Sequence, residues 1–144
     1  DKILTKTMIN NYAKNHLLPA PDKKKYSKEH LLLLIYIYYY KSILSIGDIQ
    51  SLLEPLTDRY FHNEGEFNMQ SIYEEVFSLE KEQVEKMKQD VTEKYETASR
   101  IFPEAEAEDQ EFLRIFSFIC LLSFDVYVKK QVIEKLIDEL PKKS

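Results

Sequence analysis

Four stretches decide the reading: Thr5-Lys-Thr-Met-Ile-Asn-Asn-Tyr12, Leu17-Leu-Pro-Ala-Pro-Asp-Lys-Lys-Lys-Tyr-Ser27, Leu31 to Lys41, and Ser45-Ile-Gly-Asp-Ile-Gln-Ser-Leu-Leu53. In order they read as a short polar helix, a lysine-loaded turn, an apolar helix and a capped third helix. The first helix takes Thr5 or Thr7 as N-cap and runs to about His16. Met8, Ile9 and Tyr12 form its inward stripe, followed by Leu17 and Leu18, which leaves Lys6, Asn10, Asn11 and Lys14 facing outward. Pro19 and Pro21 end the helix and extend the chain into Lys23-Lys24-Lys25, pinned between Pro21 and Tyr26. Ser27 is an N-cap for the next helix, in which every position from Leu31 to Tyr40 is apolar or aromatic, so burial on most sides is expected. Ser45 and Asp48 have the spacing of a capping box and open a helix ending near Pro55.

Downstream, a linker from 56 to 67 contains Gly65. Asn68 to about Phe102 reads as one long helix, with apolar positions at alternating spacings of three and four that falter at Glu80. Pro103-Glu-Ala-Glu-Ala-Glu-Asp109 breaks the chain and places acids at the start of a last helix, from about Asp109 to Leu140. That helix is nearly all apolar up to Val128, more than a two-helix hairpin covers, so a second subunit is expected against it. The fold class is all-α, with residues 1–55, 56–67 and 68–144 as N-terminal module, linker and C-terminal long-helix hairpin or bundle.

Composition agrees. Among 144 residues, two glycines and five prolines leave little for sheets joined by tight turns. The length holds one domain with a real core, or a small domain with an oligomerisation arm. A single cysteine, Cys120, excludes an internal disulfide, fits a reducing cytoplasm, and lies in an apolar run as an inert thiol. Phe112 to Val128 carries Arg114, Ser117, Ser123 and Asp125 and falls short of the roughly 20 apolar residues that span a bilayer. Net charge is −5, unevenly spread: residues 1–60 carry nine Lys/Arg against six Asp/Glu, and residues 61–144 carry eleven against nineteen. The halves are therefore +3 and −8, a basic N-terminal module on an acidic C-terminal one.

The residues Ile9-Asn-Asn-Tyr12, Leu17-Leu18-Pro19, Tyr26-Ser27, Leu34, Ile37, Ser45-Ile46, Ile49 and Leu52-Leu53 resemble the DNA-binding domain of the MerR-like transcription regulators. In that family a recognition helix of Thr-Ile-Arg-Tyr-Tyr type leads through Gly-Leu-Leu-Pro to a basic wing closing in Tyr-Ser. The family's arginine falls here on Asn10, its first tyrosine on Asn11 and its turn glycine on His16; the wing is shorter, and the preceding helix is absent or lies before residue 1. The pattern Met8-Ile-Asn-Asn-Tyr12 with Lys25-Tyr-Ser also resembles, more closely and over most of the chain, an uncharacterised bacterial family, domain of unknown function 1836.

The resemblance implies a winged helix-turn-helix and sequence-specific binding of double-stranded DNA. Asn10 and Asn11 are the candidates for reading bases, since an amide pairs bidentately with adenine. Lys6, Lys14, Lys23, Lys24 and Lys25, with the hydroxyls of Thr5, Tyr12 and Tyr26, are candidates for phosphates. The expected partners are DNA at a palindromic operator, a homodimer through the C-terminal helices, and an apolar small-molecule effector among their aromatic side chains. The rival reading is a helical protein–protein adaptor or ligand-binding module. No glycine-rich phosphate loop or nucleophile elbow is present, so no enzyme and no cofactor are expected. His16, His30 and His62 are scattered, and no metal site is expected. Tyr36 and Tyr38 to Tyr40 are read as core.

Overall fold

The first four helices of the chain start where the sequence supplies a side chain for the orphan amides of the first turn. The computed structural model describes residues 4–142, and the helices there are α1 (Lys6–Lys14), α2 (Lys28–Tyr40), α3 (Ile46–Tyr60), α4 (Met69–Phe77), α5 (Glu80–Ser99) and α6 (Ala107–Asp138). No strand occurs among the described residues, and the protein is all-helical. Thr5, Ser27 and Ser45 cap α1, α2 and α3 by accepting from the amides of Met8, His30 and Asp48. Asn68 and Ser71 cap α4 reciprocally, each side chain accepting from the other's backbone amide at 2.9 Å.

The chain divides into two compact units, residues 1–76 with 133–144, and residues 77–132. The core of the first unit is Leu17, Leu18, Leu33, Ile37, Ile49, Leu53 and Met69 with their neighbours, joined by Ile137 from the end of α6. Notably, α1 has no fully buried residue; Met8, Ile9 and Tyr12 are half-buried, and the chain is anchored by Leu17 and Leu18 just beyond it. The helix therefore rides on the surface with its polar face open.

Two helix boundaries differ from the sequence reading. Helix α3 passes through Pro55 and continues to Tyr60. The proline removes the bond to the carbonyl of Ser51, but Ser51 is exposed to solvent, and Ile49 and Leu53 are already committed to the core. The single long helix expected from Asn68 to Phe102 is two helices, because the chain turns at Ser78 and Leu79 and α5 begins at Glu80, where the apolar period faltered. Leu79 offers no side-chain cap, so this break has no strong local signal. Helix α2 is buried on most sides, as expected, through His30, Leu32, Leu33, Leu34, Tyr36 and Ile37, with one face left open. Leu31, Tyr38 and Tyr39 are exposed along one stripe while Tyr36 is buried.

The second unit is an antiparallel hairpin of α5 and the first part of α6. Tyr95 meets Phe118 edge-on, with ring centroids 5.5 Å apart. Lys94 bridges Asp90 on its own helix and Asp125 on α6, the latter at 2.9 Å. Ala98 is fully buried where the helices approach. The bonds that Lys94 donates to Asp90 and then to Asp125 raise its ammonium above its ordinary value, and the bond from Lys94 lowers the Asp125 carboxyl.

Candidate nucleic-acid interface

On α1, residues turn about 100° apart, so Lys6, Asn10, Asn11 and Lys14 share one side and Met8, Ile9 and Tyr12 the other. The first four are exposed. The Thr5 oxygen is occupied as a cap, accepting from the Met8 amide at 3.1 Å, and its O–H remains able to donate. Tyr12 is half-buried, and its carbonyl accepts from the amides of Leu17 and Leu18 at 2.9 and 3.2 Å. Those bonds close the helix through His16, which has φ 64. A left-handed residue at this place is the C-terminal device that glycine usually fills.

The lysine triplet forms a tight turn. Asp22 and Lys25 exchange both backbone bonds, at 3.0 and 2.8 Å, as an isolated antiparallel bridge. Between them Lys23 and Lys24 have φ 49 and 65. Positive φ at both central residues is the mirror-image hairpin turn that suits the twist of paired strands. Two lysines are an unfavourable choice there, at about 1–2 kcal/mol each, against asparagine or glycine. The sequence holds two exposed cations at a strained tip.

One side chain fastens the base of this tip. His30 is 1% exposed and sits at the third position of α2. Its Nδ1 accepts from the Ser27 amide at 3.0 Å and lies 2.8 Å from the Ser27 hydroxyl, while Nε2 lies 3.1 and 3.2 Å from the carbonyls of Pro19 and Ala20. The Ser27 amide donating to Nδ1 leaves Nε2–H to donate toward those carbonyls. Tyr26 and Phe61 meet the imidazole edge-on at 5.2 and 5.0 Å. The histidine thus ties the chain entering the tip to the chain leaving it. Tyr26 then reaches the other way, and its hydroxyl donates to Oδ1 of Asn10 at 3.3 Å.

The ten residues singled out from the sequence therefore lie on two neighbouring elements joined by the Tyr26–Asn10 bond. Lys23, Lys24, Lys25 and Tyr26 are exposed like the α1 face. None of the ion pairs among the described residues involves Lys6, Lys14 or the triplet.

A sequence model of the family described as Domain of unknown function (DUF1836) matches residues 1–76, more than half of the chain. The chain belongs to this family. The match is narrower than the resemblance read over most of the chain, and it ends where the first unit's continuous stretch ends, at Val76. The α5–α6 hairpin lies outside it. No curated protein and no solved structure matches the chain.

Sequence reasoning missed His30, which it grouped with scattered histidines. The signal was available: Ser27-Lys-Glu-His30 has capping-box spacing, with histidine where glutamate or glutamine is usual. His62 is separately engaged, its amide donating to Glu29 Oε2 at 2.8 Å and its Nδ1 lying 3.1 Å from Oε1. His16 lies in the turn after α1. The tyrosine cluster divides. Tyr36 is core, stacked on Tyr40 at 6.5 Å and edge-on to Tyr73 at 6.1 Å, and burial raises the hydroxyl pKa of Tyr36 and Tyr40. Tyr38 and Tyr39 are exposed, contrary to the core reading. Among the described residues no helix is long and apolar enough to cross a membrane.

Proposed function

We propose that this protein binds double-stranded DNA in a sequence-specific manner and regulates transcription, with residues 1–55 as a MerR-like winged-helix module. In this reading α1 enters the major groove, Asn10 and Asn11 face base edges, and the Lys23–Lys25 tip serves as a minimal wing on the phosphates. The observation that carries it is the Tyr26–Asn10 bond, which holds a strained cationic tip beside an exposed amide-rich helix face. Backbone strain persists where the surroundings over-determine it, and such places concentrate at working surfaces. The left-handed turn at His16 adds support, since the resemblance places a glycine at that position.

The division of charge is consistent with this use. Phosphate contacts give affinity and orientation, while the two amides supply discrimination. The adaptor alternative expects the lysines to be engaged with acids instead.

The test is binding of a fluorescent duplex from the gene's own upstream region across a salt series, for wild type and a Lys23/Lys24/Lys25→Ala variant. The reading expects log affinity to fall steeply with log salt, and the variant to lose roughly 0.9 of slope per abolished contact. Absence of binding at low salt, to that duplex and to random DNA alike, refutes it.

A further inference from the structure

Asp125 and Phe118 mark the side of α6 that meets α5. About a third of a revolution away, at 100° per residue, lies the centre of a stripe of Phe112, Ile115, Phe116, Ile119 and Val126. Phe112 is 63%, Ile119 55% and Val126 60% exposed. The stripe has charged ends on the same side of the helix, with Glu108 and Asp109 before it and Lys130 after it. Between them Ile119, Leu122, Ser123, Val126, Tyr127 and Lys130 line a groove. Ahead of it Phe112 and Phe116 stack at 5.7 Å as a paired knob.

We propose that this stripe docks a second copy of the same chain, α6 against α6 antiparallel, with Ile119 at the two-fold axis. Charge decides both occupant and direction. Antiparallel pairing about Ile119 sets Glu108 and Asp109 of each copy against Lys130 of the other; parallel pairing sets like charges together at both ends. The same register lays Phe112 opposite Val126 and Phe116 opposite Leu122, so each copy's phenylalanine pair enters the other's groove. A symmetric interface of this kind is self-complementary by construction. The exposed apolar part of the stripe amounts to roughly 600 Å² per copy, close to the roughly 800 Å² per partner of a standard stable interface once rim residues are added. The proposal does not depend on DNA binding.

The test is the mass of the full chain by light scattering and sedimentation, with circular dichroism as a check on folding. Wild type is expected at twice the 17.2 kDa chain mass. Ile119→Glu places two carboxylates at the axis and raises the dissociation constant ~100-fold, with helix content unchanged because the side chain is exposed. Lys130→Glu alone and Glu108→Lys/Asp109→Lys alone each weaken the dimer ~10-fold, and an equimolar mixture of these two variants restores it. Parallel pairing predicts no weakening from either reversal. A monomeric wild type at about 100 µM, a dimer indifferent to Ile119→Glu, or a mixture that fails to recover overturns the proposal.

Discussion

Replacing Lys23-Lys24 by Asn-Gly should make the protein more stable and, on the proposed function, weaken its DNA binding at once. Both lysines sit at positive φ in a turn whose ends, Asp22 and Lys25, are already bonded. Asn-Gly is the pair that this turn prefers. The left-handed region costs an ordinary residue about 1–2 kcal/mol, glycine almost nothing and asparagine less than lysine, so relief of roughly 1–3 kcal/mol is expected. For a chain of 144 residues that corresponds to a Tm increase of about 3–9 °C. The same change removes two cations without disturbing the bridge, the His30 bonds or the Tyr26–Asn10 bond. The salt slope for DNA should fall by about 1.8, two contacts at 0.9 each. Thermal unfolding and a salt series on one preparation give both numbers. A lower Tm would refute the strain argument, and an unchanged slope would refute the placing of the tip on phosphates.

Other changes test the frame around it. His30→Leu leaves the Ser27 amide and the Pro19 and Ala20 carbonyls without their imidazole partner, and denaturant unfolding should show a loss of about 2–4 kcal/mol. Conversely, His16→Gly relaxes a left-handed residue after α1 and should add about 1 kcal/mol in the same assay. Pro55→Ala restores a missing helix bond inside α3 and should stabilise by roughly 1–3 kcal/mol, read as a rise in denaturation midpoint. In the hairpin, the Asp125 carboxyl is lowered by Lys94, so its contribution is full above the ordinary carboxylate range and fades as pH falls through the folded value. The Tm gap between wild type and Asp125→Asn should therefore be open at neutral pH and close in acid; a gap that persists in strong acid refutes the ion-pair account.

Where the sequence used conventional signals, the structure was legible. Thr5, Ser27 and Ser45 cap helices as their types and spacings indicate, and the all-helical class followed from composition and period. The polar side of α1 was legible because three apolar residues fix the opposite side. What escaped depended on tertiary context. Lys-Lys carries none of the Asn-Gly signature of a mirror-image turn, so the sequence marked a lysine-loaded turn without its type or its strain. His30 read as a stray histidine because histidine is an unusual partner in a capping box. Pro55 read as a helix end, since local rules cannot see that Leu53 is held by the core on one side while the opened carbonyl meets solvent on the other. The exposure of Tyr38 and Tyr39 was equally hidden, because hydropathy reports what a side chain prefers and not how much of it the fold covers.

The His30 fastening has an evolutionary consequence. Closing a loop costs chain entropy that grows only slowly with its length. Here that closure is secured at the base, by one imidazole spanning Pro19, Ala20 and Ser27, outside the Asp22–Lys25 bridge of the tip itself. The segment from Pro21 to Lys25 is thereby released from holding the fold together. Its length, charge and turn type can drift, or be exchanged in the laboratory, while helix α2 and the core beneath stay as they are. The tip behaves as an interchangeable cassette, and divergence among family members should collect there while the histidine and its serine are retained.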